Sequence, residues 1–130
     1  MSASDGLQRD CPCGLPATYD ACCGRLHRGA AQAATPEELM RSRYAAYAVR
    51  DPDYVWRTWH PRTRPLAVTP DPDVRWTGLV VHAAVGDEVE FTASFERLGA
   101  PGTLHERSAF EQRAGRWFYV AAVNESTIGS

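Results

Sequence analysis

Residues 88–96 read Glu88-Val89-Glu90-Phe91-Thr92-Ala93-Ser94-Phe95-Glu96, with an apolar side chain at every second position. Side chains on an extended chain point alternately to two faces. This stretch is therefore a strand with Val89, Phe91, Ala93 and Phe95 on a buried face and Glu88, Glu90, Thr92, Ser94 and Glu96 on a wet one. The period of two continues downstream. Leu104, Glu106, Ser108 and Phe110 share one face of a further strand, while His105, Arg107, Ala109 and Glu111 share the other. Upstream, Leu79 to Ala83 is another strand, and Val85-Gly86-Asp87 supplies the turn between the two. Leu98 to Gly102 reads as a loop. Arg113-Ala114-Gly115 turns into the apolar run Trp117 to Val123, which suits a central strand.

Ahead of the sheet the period changes. Thr35 is an N-cap, Pro36 fits the first helical position and Glu38 completes a capping box, so a helix runs from there to about Arg50. Met40, Tyr44, Tyr47 and Ala48 fall on one face of it. Asp51-Pro52-Asp53 starts a second helix by the same logic, carrying Val55, Trp56 and Trp59 and ending at His60 before Pro61. Trp56, Trp59, Trp76 and Trp117 read as core. Prolines 61, 65, 70 and 72 keep the next stretch extended or turning. Two helices followed by an antiparallel meander make an α+β domain whose sheet curls over the helices.

Composition limits the function. The 130 residues carry a net charge of −2, which gives no cationic surface for coating nucleic acid. All 14 basic side chains are arginine, which excludes a Schiff-base or P-loop lysine. No run of about 18 apolar residues exists to span a membrane. Met1 to Asp10 is polar and lacks the apolar core of a secretory leader, so the expected compartment is the reducing cytosol.

In that compartment the cysteines are informative. All four lie between Cys11 and Cys23, as Cys11-Pro12-Cys13-Gly14 and Cys22-Cys23-Gly24. A bridge between Cys22 and Cys23 would need a distorted vicinal ring, and a reducing compartment would not maintain two bridges inside 13 residues. Inert core cysteines would be scattered through the core segments. Two close pairs suit a tetrahedral Zn²⁺ site with Cys11, Cys13, Cys22 and Cys23 as ligands, and His27 as a substitute for Cys22 or Cys23. Gly14 and Gly24 would let backbone approach the sulfurs, and Arg9, Arg25 and Arg28 would offset the thiolate charge. A thiol redox role for Cys22-Cys23 is the competing reading.

The cysteine stretch resembles the SEC-C motif, with Leu15-Pro16-Ala17 where that motif usually carries Ser-Gly-Lys. A wider resemblance rests on Met40-Arg41-Ser42-Arg43-Tyr44-Ala45-Ala46-Tyr47, Thr58-Trp59-His60-Pro61, His105-Glu106-Arg107-Ser108 and Gly115-Arg116-Trp117. These segments are similar to the YchJ family of uncharacterised bacterial proteins, and the chain resembles its short form. The resemblance implies a SEC-C-like zinc-binding motif over residues 1–28 and a nuclear transport factor 2 (NTF2)-like cone over 29–130. It implies no reaction.

Catalytic signatures are missing. His105-Glu106 opens like a zinc-protease motif, but residue 109 is Ala, and there is no nucleophile elbow or glycine-rich phosphate loop. The expectation is therefore an interaction module rather than an enzyme, with a zinc knuckle presented to a protein or nucleic acid. The alternative is a small-molecule-binding protein or enzyme that uses the cone: Arg43, Tyr47, His60, His105 and Arg107 would converge as a cationic, aromatic pocket for a small anion or acid.

Overall fold

The computed structural model describes residues 9–129, so most of the polar start at Met1–Asp10 lies outside the described residues. Among the described residues three helices precede four strands: α1 (Cys23–His27), α2 (Pro36–Ala48), α3 (Pro52–Arg57), β1 (Val74–Val85), β2 (Glu88–Arg97), β3 (Ala100–Arg113) and β4 (Arg116–Gly129). The strands pair antiparallel in the order β1-β2-β3-β4. No described helix is long and apolar enough to cross a membrane.

Local chemistry sets the helix starts. The Thr35 hydroxyl accepts from the Glu38 N–H at 3.0 Å, and the Glu38 carboxylate reaches back to the Ala34 N–H at 2.7 Å, one residue ahead of the usual box partner. Asp51 caps α3 by accepting from the Tyr54 N–H at 3.2 Å. That helix ends at Arg57, short of the expected His60, because the Thr58 hydroxyl turns back onto the Tyr54 carbonyl. The expected linker 28–34 is partly packed, with Ala31 and Ala33 against the core.

The alternation in β2 is realised: Val89, Phe91, Ala93 and Phe95 are all buried. From β3, Glu106, Ser108 and Phe110 join them on the inner face. Register shifts near Gly78 and Ala83 in β1, and opposite Val120 and Val123 in β4, mark bulges that curve the sheet. Met40 and Tyr44 of α2 and Tyr54 and Val55 of α3 fill the concave side.

Three expectations change. The strands are longer than the apolar runs: β1 begins at Val74, and β3 at Ala100, where a loop was expected. β4 is an edge strand rather than a central one. It reads as apolar because the chain after α3 covers its start: the Tyr119 N–H donates to the Thr58 carbonyl at 2.9 Å and the His60 N–H to the Tyr119 carbonyl at 2.7 Å. Trp56 is 36% exposed instead of core. Its indole N–H donates to the Pro65 carbonyl at 3.0 Å and Arg64 lies 3.9 Å over its ring, so it fastens the proline-rich segment to α3.

Two substitutions in α2 separate capping from packing. Thr35→Ala should lower unfolding stability by about 1 kcal/mol. Leu39→Ala, at a core position only 1% exposed, should lower it by roughly 2–5 kcal/mol. Urea unfolding of both variants measures the contrast.

Candidate metal centre and the cone

The four cysteines are free thiols whose Sγ atoms all lie within 4.8 Å of one another, and Cys13 Sγ is 3.6 Å from Cys22 Sγ. A disulfide needs about 2.05 Å. A tetrahedron of sulfurs about 2.3 Å from a central ion has edges of about 3.8 Å, so the donor set fits a four-thiolate ion. Cys11, Cys13 and Cys23 are buried and Cys22 is partly exposed.

Backbone turns bring the two pairs together. The Cys11 N–H donates to the Ala17 carbonyl at 2.9 Å, and the Tyr19 N–H to the Arg9 carbonyl at 2.8 Å. Gly14 has φ +93°, which favours glycine. The reason for Gly24 differs from the expected one. A Cβ there would lie 2.7 Å from the Tyr19 carbonyl oxygen and 3.0 Å from its ring, so the glycine admits Tyr19 rather than a sulfur.

The thiols act on one another. Hydrogen bonds from Cys13 and Cys23 hold the Cys11 thiol down at about 2, against burial. Burial pushes Cys22 up to about 12, and the hydrogen bond to Cys11 pushes Cys23 up as well. Hydrogen bonding and burial thus pull the acidities of neighbouring thiols apart, and a bound metal ion would have to displace their protons.

His27 does not join the sulfurs. Its Nε2 lies 2.9 Å from the Ser42 carbonyl and its Nδ1 2.6 Å from the Tyr19 hydroxyl. A carbonyl only accepts, so Nε2 carries the proton and Nδ1 accepts from Tyr19, leaving no lone pair for a metal. Burial holds the ring neutral by lowering its pKa. The arginines also differ from expectation. Arg25 pairs with Glu38 and Arg28 with Asp20, whereas Arg41 of α2 donates to the Cys13 carbonyl at 2.8 Å. The sequence offered no signal for Arg41, because that contact joins elements 28 residues apart.

The knuckle is seated on α2. Cys11, Cys13 and Cys23 pack against Ala45, which is fully buried, and Leu26 of α1 enters the main core. Below them, Tyr54 donates to the Ser42 hydroxyl at 2.7 Å, since that hydroxyl already donates to the Leu39 carbonyl.

On the other face of α2, the concave sheet encloses a cavity of about 340 Å³. Arg43 and Tyr47 line it as expected, but His60, His105 and Arg107 do not. Strand parity explains the last two: Glu106 and Ser108 face inward, so His105 and Arg107 face out. There His105 Nε2 lies 2.7 Å from Glu90 and its Nδ1 3.0 Å from the Thr92 hydroxyl, while Arg107 approaches Glu90 at 3.5 Å. His60 is buried beneath β4, where its Nδ1 accepts from the Arg62 N–H at 3.0 Å. The inward residues missed at the sequence level are Glu106, Ser108, Tyr119 and Glu125. The alternation already contained the first two; the facing of β4 depended on its bulges.

The geometry defines a class: an α+β chain of NTF2-like fold whose concave sheet is braced by helices, with a cysteine quartet fixed to the outside of the main helix. A family model described as the YchJ middle NTF2-like domain matches residues 35–122. A UPF0225 protein of Deinococcus radiodurans is 54% identical over 115 residues, which is 88% of each chain. Another, from Streptomyces avermitilis, is 52% identical over 119 residues, 85% of this chain and 81% of that one. The solution structure of a SEC-C motif containing protein from Rhodopseudomonas palustris superposes with a TM-score of 0.76 at 41% identity, covering 86% of this chain and 95% of that one. The chain belongs to the YchJ family.

Glu106 supplies a pH test of the inner face. Burial raises its pKa above the usual 4.5, with Glu125 adding to the rise, while the Ser108 and Tyr119 hydroxyls pull it back. A carboxyl whose folded-state pKa is raised destabilises the fold when ionised. The penalty is full above the folded value and absent below the unfolded one. Glu106→Gln should therefore be more stable than the parent near pH 7, and the advantage should shrink to nothing as pH falls to about 4. Melting temperatures of both proteins across that range measure it.

Proposed function

We propose that Cys11, Cys13, Cys22 and Cys23 hold one Zn²⁺ in a structural site, and that the knuckle so formed is an interaction module displayed beside the NTF2-like domain. The observation that carries this reading is the gathering of four free cysteine sulfurs within 4.8 Å of one another. Four thiolates leave a tetrahedral ion no open position for water or substrate, so the ion would supply architecture and not hydrolysis. The SEC-C motif of the Rhodopseudomonas relative supports the same reading.

The interaction surface is the groove beside the sulfurs. Exposed Leu15 and partly exposed Cys22 lie there together with buried Leu26. Its charges are balanced, Arg25 by Glu38 and Arg41 by Glu37. An apolar floor with paired charges suits a protein segment better than nucleic acid, which needs unpaired cations.

Protein purified without chelator should contain about one zinc per chain by elemental mass spectrometry, and its thiols should resist alkylation until a chelator is added. Chelation should speed amide exchange in residues 9–28 before it affects β2 or β3. Less than about half an equivalent of metal, with thiols that alkylate freely at neutral pH, would contradict the site and favour redox chemistry at Cys22-Cys23.

A further inference from the structure

The cone holds a charge pattern that the zinc knuckle does not use. Glu106 and Glu125 stand directly opposite each other on β3 and β4, and both line the cavity. Like charges in such a cross-strand pair repel, and a fold gains nothing by placing them there alone. Glu106 is only 7% exposed, yet the hydrogen bonds it accepts from Ser108 and Tyr119 both end on Oε2. Oε1 has no protein donor among the described residues.

Arg43 is the cation whose charge acts on Glu106, and it answers this need only in part. Its Nη1 donates to the Val55 carbonyl and the Thr58 hydroxyl, each at 2.8 Å, and its guanidinium lies 4.5 Å over Tyr119 and 5.2 Å from the Trp59 ring centre. Among the described residues no ion pair joins it to Glu106 or Glu125. Arg43 is thus a strut between α2, α3 and β4. One guanidinium against two carboxylates leaves the cavity one negative charge in excess when all are ionised. Most of its remaining wall is aromatic, including Tyr44, Tyr47, Trp76 and Phe91, with Met40 and Leu104 beside them. Aromatic faces and carboxylates both attract cations, and neither attracts an anion.

We propose that the cone binds a small organic cation, an ammonium or amidinium on a flat apolar body, with Glu106 and Glu125 taking the charge and the aromatic wall taking the body. This reverses the small anion expected from the sequence, which depended on His60, His105 and Arg107 joining Arg43. A volume of about 340 Å³ lies within the range of small-molecule sites. The site is on the opposite face of α2 from the cysteines, so it stands or falls apart from the zinc reading.

The test is titration of the full chain, labelled with nitrogen-15, with three probes of one shape: benzylamine, benzyl alcohol and benzoate. Benzylamine alone should give saturable shifts, clustered at Tyr47, residues 104–108 and Glu125, with a change in tryptophan fluorescence. Glu106→Gln and Glu125→Gln should each weaken it roughly tenfold, the loss expected for one charged hydrogen bond. Glu125 is exposed, so its variant leaves the packing of the inner face unchanged and decides the matter independently of Glu106→Gln. Benzoate binding as well as benzylamine, no saturation with millimolar amine, or unchanged affinity in Glu125→Gln would overturn the proposal.

Discussion

Thiols gain little from one another's company. A sulfur–hydrogen group is a weak donor, and a buried thiolate is unfavourable unless a cation or several donors face it. Four sulfurs within 4.8 Å are therefore a constraint the chain has been built to satisfy. Meeting it folds residues 11–23 into paired turns and fixes the start of α1. It also brings Tyr19 over Gly24, where its hydroxyl reaches His27. His27 in turn holds the Ser42 carbonyl, and Arg57 of α3 donates to the His27 carbonyl at 2.6 Å. The knuckle is thereby joined to both helices that brace the sheet.

The helix α2 is the shared wall. Residues two apart on a helix point about 200° apart. Arg41 accordingly turns to the cysteines and Arg43 to the cone, and the first holds the Cys13 carbonyl while the second crosses to α3. Residues from Leu39 to Ala46 are buried with the exception of Arg41, because the helix has a partner on either side. A helix of that kind shows a weak amphipathic pattern in sequence, even though its position is tightly determined.

What was legible in the sequence was local. The caps at Thr35 and Asp51, the alternation of Val89 to Phe95 and the two cysteine pairs each depend on neighbours within a few residues, and each is present in the fold. What was not legible depended on distant partners. β4 reads as a central strand because residues 58–60 close its edge, and Trp56 reads as core because its ring is covered by Arg64 rather than by the sheet. In the cone, His105 and Glu106 are neighbours in sequence and only one can face inward. The expectation chose the histidine, whose side chain carries more familiar chemistry, over the glutamate that shares a face with Phe110. Helical identity was readable, and the wall each helical residue served was not.

X-ray absorption at the zinc edge tests the central claim most directly, on protein purified without added metal. The account predicts a single shell of four sulfur scatterers at about 2.3 Å. A shell containing nitrogen or oxygen at about 2.0–2.2 Å, or a sample with no zinc to measure, would contradict it.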